Sequence, residues 1–170
     1  MTVILGIDPG SRITGYGIIS QHKQRLGYID SGCIRTSGTE LAGRLLHIFN
    51  GICQILDMYT PDQVAIEQVF MHQNPNSALK LGHARGVAMV ACASHRLSVQ
   101  EYSPREIKQA VVGYGAAYKE QVKHMVVSLL ELNKPPQSDA ADALAIAICH
   151  SHMGQGFPGR ARRRLKRSTV

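Results

Sequence analysis

The chain carries 12 acidic residues, and four of them stand where a carboxylate is costly. Asp8 closes the apolar run VILGID, and Glu67 lies in VAIEQVF, near the end of another. Asp139 and Asp142 are three residues apart in SDAADALAIA, so a helix there places them on one face among Ala, Leu and Ile. Two of them have an ordinary explanation. Asp8-Pro9-Gly10 is a turn sequence, because Pro fixes φ and Gly tolerates positive φ. Asp139 near a helix N-terminus complements the dipole. Glu67 and Asp142 resist that treatment, since a buried charge is expensive unless it is paired or ligates a metal. The chemistry that uses four such groups together is metal-assisted phosphodiester hydrolysis. Carboxylate oxygens are hard ligands suited to Mg²⁺ or Mn²⁺. Two ions about 3.5–4 Å apart activate a water and stabilise the leaving oxygen. Four clustered carboxylates repel one another, so the site is expected to be strained when empty and to settle on binding cations.

Other chemistries find less support. Of the eight histidines only His150 and His152 are close together, and a spacing of two does not share a helix face, so both read as surface histidines. Cys33, Cys53, Cys92 and Cys149 are far apart among apolar neighbours with no CxxC pair, which argues against zinc and for free thiols. No Ser-His-Asp order, reactive-cysteine context or Walker glycine loop stands out.

The elements that must position the acids are legible from periodicity. VILGID, TGYGIIS and LGYIDSGCIRT, separated by turn-prone or polar residues, predict an antiparallel meander of three strands. Residues 40–58 repeat apolar positions at helical spacing, with Thr39 as a candidate cap and Pro61 as a stop. QVAIEQVF is a fourth strand and LSVQEYS a fifth. Residues 75–95 form a long helix containing Gly82, Gly86 and several Ala, small residues that permit close packing either on the chain's own sheet or on a second copy. Pro104 opens a helix at a first-turn position, residues 119–132 form an amphipathic one, Pro135-Pro136 ends it, and Ser138 can cap the last. Strands first, then strands alternating with helices, indicate a mixed α/β sheet.

Bulk properties bound the rest. With 170 residues and 44% hydrophobic composition, the chain is long enough for one domain with a real core. No apolar run is long enough to cross a bilayer and no signal-peptide pattern opens the chain, which makes a cytoplasmic location the expectation. The net charge of +7 is uneven: residues 155–170 hold Arg160, Arg162, Arg163, Arg164, Lys166 and Arg167 with no acid, leaving +1 for everything before them. Residues 154–170 therefore read as a basic, disordered tail able to bind phosphate electrostatically, following a single folded domain over 1–153.

GIDPGSRITGYG, AIEQVF, NSALKLGHARG, VVGYG and SDAADALAIA, in that order and spacing, resemble the RuvC family, the bacterial Holliday-junction resolvases, over roughly residues 1–152. The resemblance implies an RNase H-like fold: a five-stranded mixed sheet, three strands antiparallel, flanked by helices. In that fold the first strand, the fourth strand and the last helix meet at one end of the sheet. Asp8, Glu67, Asp139 and Asp142 match the family's catalytic acids, which would hold two Mg²⁺ ions, with Mn²⁺ as a possible substitute. Asp8 would then be a metal ligand, with Pro9-Gly10 turning the chain away from the site. The resemblance further implies a homodimer, with much of its contact on the 75–95 helix. It would nick two strands of like polarity symmetrically across a four-way DNA junction and work with the RuvAB branch-migration machine in recombination and repair. A two-fold dimer suits a two-fold junction. Phe70 resembles the family's aromatic that stacks on an opened base step. Lys108 and Lys119 match basic residues that approach the scissile backbone, Lys119 being placed to stabilise developing phosphate charge. Arg12 and Arg85 are weaker candidates for backbone contacts.

Three other readings make different demands. GIDPGSRITGYG also resembles the phosphate loop of actin-like sugar kinases and chaperone ATPases, but those need two such domains, and ATP turnover without nuclease activity would mark them. A non-catalytic junction-binding module would bind junctions in Mg²⁺ without nicking. An RNA-processing nuclease of the same fold would prefer an RNA competitor over a DNA junction.

Overall fold

The computed structural model describes residues 1–68 and 75–154. The elements in chain order are β1 (Thr2–Asp8), β2 (Ile13–His22), β3 (Arg25–Arg35), α1 (Leu41–Tyr59), β4 (Gln63–Glu67), α2 (Pro75–Ser94), β5 (Val99–Tyr102), α3 (Pro104–Val112), α4 (Lys119–Leu129) and α5 (Ser138–Gly154). They form one five-stranded sheet in the order β3-β2-β1-β4-β5. β1, β2 and β3 pair antiparallel, and β1-β4 and β4-β5 pair parallel. The α/β class, the RNase H-like arrangement and the three-strand meander are thus borne out.

Strand alternation separates two cores. Leu5, Ile7, Val64 and Ile66 face α1 and α2, whereas Ile4 and Ala65 face α3, α4 and α5. Ile48, Ile52 and Leu56 recur every four residues or so along the inner face of α1, and its fourth residue, Arg44, is buried with them. α5 is different in kind: its residues from Ala143 to Ser151 are all buried, because it is enclosed by the sheet on one side and by α3 and α4 on the other.

Local differences from the sequence reading have physical reasons. Thr39 does not cap α1; Glu40 occupies the N-cap without a side-chain capping bond. Thr60 takes a left-handed conformation (φ 42°) ahead of Pro61, ending the helix there. Ser138 is already the first helical residue of α5. α3, by contrast, has a complete capping box: Ser103 Oγ accepts from the Glu106 N–H, and the Glu106 carboxylate accepts from the Ser103 N–H. Among the described residues no helix is long and apolar enough to cross a membrane, and all four cysteines are free.

Candidate active site

β1 and β4 run side by side with Ile7 registered against Ile66. One residue further, Asp8 and Glu67 leave the sheet together. By strand alternation both point to the α5 side, in line with Ile4 and Ala65. On its other flank Asp8 is registered against Gly15 of β2. Gly15 has no room for a side chain: a Cβ there would lie 2.1 Å from the Asp139 carbonyl oxygen. Gly6 and Gly17, themselves a registered pair, are equally closed, with the Ala143 carbonyl oxygen 2.1 Å and the Leu144 nitrogen 2.7 Å from their would-be Cβ atoms. Three glycines therefore form a trough in which the α5 backbone lies directly on β1 and β2. Small residues on the helix itself (Ala140, Ala143 and Ala147) complete the fit. The trough sets the first turns of α5, and hence Asp139 and Asp142, beside Asp8.

The turn after Asp8 is also fixed. Thr14 is fully buried, and its hydroxyl donates to the Gly10 carbonyl at 2.9 Å while accepting from the Gly10 N–H at 3.3 Å. A strand therefore ends in Asp-Pro-Gly because the turn is pinned and the carboxylate stays at the end of the central strand.

Electrostatics reports the convergence. Burial, then the charges of Glu67, Asp142 and Asp139, push the Asp8 carboxyl up to about 8, against the opposing pull of Lys119. Burial and Asp142 raise Glu67, with Lys119 and Lys108 opposing. Lys119 Nζ lies 2.6 Å from Asp142 Oδ2, and that bond keeps the ammonium charged. A pocket of about 270 Å³ opens here, lined by Glu67, Lys108, Lys119 and Asp142 above an apolar floor that includes Ile107 and Val122. Among the described residues no three His, Cys, Asp or Glu side chains are gathered to hold an ion as they stand. Lys119 holds Asp142 to itself. The donor set nonetheless fits a hard divalent cation: oxygen ligands, one of them pushed toward protonation by burial and then by the neighbouring acids.

A pH dependence follows from Asp8. Its folded value lies above its ordinary 3.8, so the folded state binds more protons than the unfolded state between about pH 4 and 8, and stability falls as pH rises through that window. Glu67 acts in the same direction. His150, held low by burial, acts in the opposite one. The Asp8→Asn variant isolates the effect. In chelator, its melting temperature is expected to exceed the wild-type value at pH 8 by several degrees, with the gap closing toward pH 4. Differential scanning calorimetry across that range checks this, and a gap that does not change with pH contradicts it.

The remaining candidates are placed as follows. Lys108 is half-buried in the pocket wall. Arg12 is exposed on the turn between β1 and β2, where its carbonyl accepts from the Thr36 N–H at 2.9 Å. Arg85 is engaged by Glu101 of β5 through a short ion pair, which competes with the backbone contact expected of it. Phe70 lies outside the described residues, as does the chain beyond Gly154. His150 is not a surface residue. It is buried, its Nε2–H donates to Gln63 Oε1 at 2.9 Å, and its Nδ1 accepts from the Tyr102 hydroxyl at 2.8 Å, tying α5 to β4 and β5. Sequence reading overlooked the glycine trough. The signal was available in the period-two spacing of Gly15 and Gly17, which puts both on one strand face.

A family model described as crossover junction endodeoxyribonuclease RuvC matches residues 4–150. A curated relative of that name from Legionella pneumophila (strain Philadelphia 1) is 67% identical over 98% of this chain and 99% of its own length. A solved structure described as T. thermophilus RuvC in complex with Holliday junction substrate superposes with a TM-score of 0.86 at 32% identity, covering 91% of this chain and 96% of that one. The Thermus thermophilus RuvC structure superposes at 0.82, also with 32% identity, over 90% of this chain and 95% of the other.

Proposed function

Because the chain belongs to the RuvC family of crossover junction endodeoxyribonucleases, we propose that it resolves Holliday junctions by paired, symmetric nicks made at the carboxylate site between β1, β4 and α5. It is an endodeoxyribonuclease of a metal-dependent, dimer-forming family that acts on Holliday junctions in recombination and repair. The observation that carries this reading is geometric: Asp8 and Glu67 leave adjacent strands on the same face, and the glycine trough seats the start of α5, with Asp139, beside Asp8.

In this reading those four carboxylates hold two Mg²⁺ ions, with Mn²⁺ able to replace them. When bound, the ions supply an activated water and Lewis-acid stabilisation of the leaving oxygen. The protein's own groups do the rest. Asp8 and Glu67 are fixed by two adjacent parallel strands, so their separation is set by the sheet and not by flexible loops. Lys119, freed from Asp142 once that carboxylate ligates a cation, is placed to meet the charge developing on the phosphate. Lys108, on the neighbouring helix, holds the backbone in the same pocket. Phe70 stacks on an opened base step, and the basic segment 154–170 adds phosphate affinity. The cut leaves a 5′-phosphate and a 3′-hydroxyl that a ligase can seal.

The second copy is best placed on α1 and α2. Gly82 and Gly86 face open space, and an open apolar groove lined by Leu45, Leu46, Phe49, Leu79, Val87 and Val90 runs between the two helices. Leu46, Leu79 and Val90 are about 60% exposed there, an apolar surface of the kind that marks an interface. The branch-migration machine RuvAB is the expected supplier of junctions.

A synthetic four-way junction incubated with and without Mg²⁺, with both nicks mapped, tests the reading. Paired nicks at symmetric positions, dependent on the cation, are expected. Binding without nicks in Mg²⁺, or cleavage that persists in chelator, contradicts it.

A further inference from the structure

The turn joining α3 to α4 carries two large aromatic residues that bury little. Tyr114 is 45% and Tyr118 is 79% exposed, so both leave ring surface open to a ligand. They are not loosely held. The Tyr114 hydroxyl donates to Gln121 Oε1 at 2.8 Å, and the Tyr118 N–H donates to the same oxygen at 2.8 Å. One glutamine thus holds the Tyr114 side chain and the Tyr118 backbone across the turn that begins at Gly113, where a positive φ of 96° ends α3. The position is specific. The residue after Tyr118 is Lys119, whose Nζ reaches Asp142 inside the carboxylate pocket. Lys108 lines the other wall of that pocket from α3, with Arg105 exposed one turn earlier. Aromatic rings interleaved with cations, in the segment that leads into this pocket, suit nucleotides: the cations meet the backbone and the rings meet base faces.

We propose that Tyr118, steadied with Tyr114 by Gln121, is a stacking surface for a nucleotide flanking the scissile phosphate, separate from the role assigned to Phe70. This rests on the resolvase reading above. The ring packs on the face of an unpaired or splayed base of the cleaved strand, so the contribution depends on the π-face and not on the hydroxyl.

The test uses the full-length protein and a synthetic junction whose cut sites have been mapped, with 2-aminopurine, or an abasic nucleotide, at each position flanking the cut. Asp8→Asn provides a cleavage-deficient background for binding. Tyr118→Ala is expected to weaken junction binding by about tenfold or more, the scale of one stacked base, and to raise KM more than it lowers kcat. Tyr118→Phe is expected to stay within about twofold of the parent, since the ring is retained. One flanking 2-aminopurine should be quenched on binding by the parent and by Tyr118→Phe but not by Tyr118→Ala. An abasic nucleotide at that position should weaken the parent while costing Tyr118→Ala nothing further. The proposal is overturned if Tyr118→Ala binds and cuts like wild type, or if Tyr118→Phe loses as much as Tyr118→Ala, which would assign a hydroxyl hydrogen bond. It is equally overturned if Tyr118→Ala leaves DNA affinity unchanged and lowers self-association by sedimentation, which would assign a protein contact. Wild-type protein that neither binds nor nicks any junction removes the resolvase reading and this proposal with it. Wild-type cleavage with an unaffected Tyr118→Ala removes this proposal alone.

Discussion

Asp8→Asn should lower the rate of junction cleavage by about 10²–10³-fold, the loss expected when a group that stabilises transition-state charge is removed, while junction binding survives. The amide keeps the shape of the carboxylate, so the pinned Pro9-Gly10 turn and the Thr14 hydroxyl bonds to Gly10 remain. What changes is the charge. A neutral amide oxygen is a poorer ligand for a hard cation, and the carboxyl that burial and its acidic neighbours push to about 8 is gone. The folded protein therefore gains stability at pH 8 as it loses activity, a combination that misfolding cannot produce. Binding should be equal to or tighter than wild type, because one negative charge near the phosphates has been removed. Single-turnover cleavage and filter-binding or fluorescence titration on the same junction measure the two halves. Cleavage within a few-fold of wild type would remove Asp8 from the reaction.

Gly15→Ala should be inactive for a different reason. Its Cβ would meet the Asp139 carbonyl oxygen at 2.1 Å and the Asp139 carbonyl carbon at 2.5 Å, backbone atoms of a helix whose residues from Ala143 to Ser151 are all buried. No rotamer change relieves that contact, so α5 must lift from β2 or tilt. Overpacking of this kind costs about 3 kcal/mol, at the upper end of the usual range. For a chain of this size that corresponds to a melting temperature lower by about 6–12 °C. Cleavage should fall by at least about 10²-fold even well below the transition, because a displacement of 1 Å in catalytic geometry is enough to cost that much. A control separates packing from site geometry. Gly82→Ala, on the outer face of α2 where a Cβ meets nothing within 4 Å, should leave the monomer's thermal transition unchanged or raise it slightly, since Ala replaces Gly in a helix. A Gly15→Ala protein with wild-type melting and cleavage would show that the α5 seat does not govern the site.

Much of this was legible in the sequence because it rests on periodicity and on misplaced charge. The three-strand meander, the helix ending before Pro61 and the opening of α3 at Pro104 each follow from local chemistry that tertiary packing does not override. Asp8 and Glu67 stood out because a carboxylate at the end of an apolar strand needs a reason, and both do leave the sheet on the same side. What the sequence did not disclose depends on contacts between distant segments. His150 reads as a surface histidine until α5 is seen to be enclosed, whereupon its two nitrogens find Tyr102 and Gln63. Arg85 reads as a free cation until β5 brings Glu101 against it. Thr39 has the right chemistry for a cap, yet Glu40 takes the position because the preceding loop sets where α1 begins. Gly15 and Gly17 read as strand glycines; only the pairing of Asp8 with Gly15 and Gly6 with Gly17 reveals a trough cut for a helix. The convergence of four acids was implied by resemblance, whereas its cause, a helix backbone seated on glycine, came from the fold.

The most direct measurement is the position of bound cations. Crystals of the full chain soaked in Mn²⁺, with anomalous difference density collected at the manganese edge, locate them without reference to activity. Peaks enclosed by Asp8, Glu67, Asp139 and Asp142, accompanied by release of Lys119 from Asp142 and lost in Asp8→Asn, are the expected result. Manganese bound elsewhere on the molecule, with those four carboxylates bare and the Lys119–Asp142 pair intact at saturating metal, would contradict it.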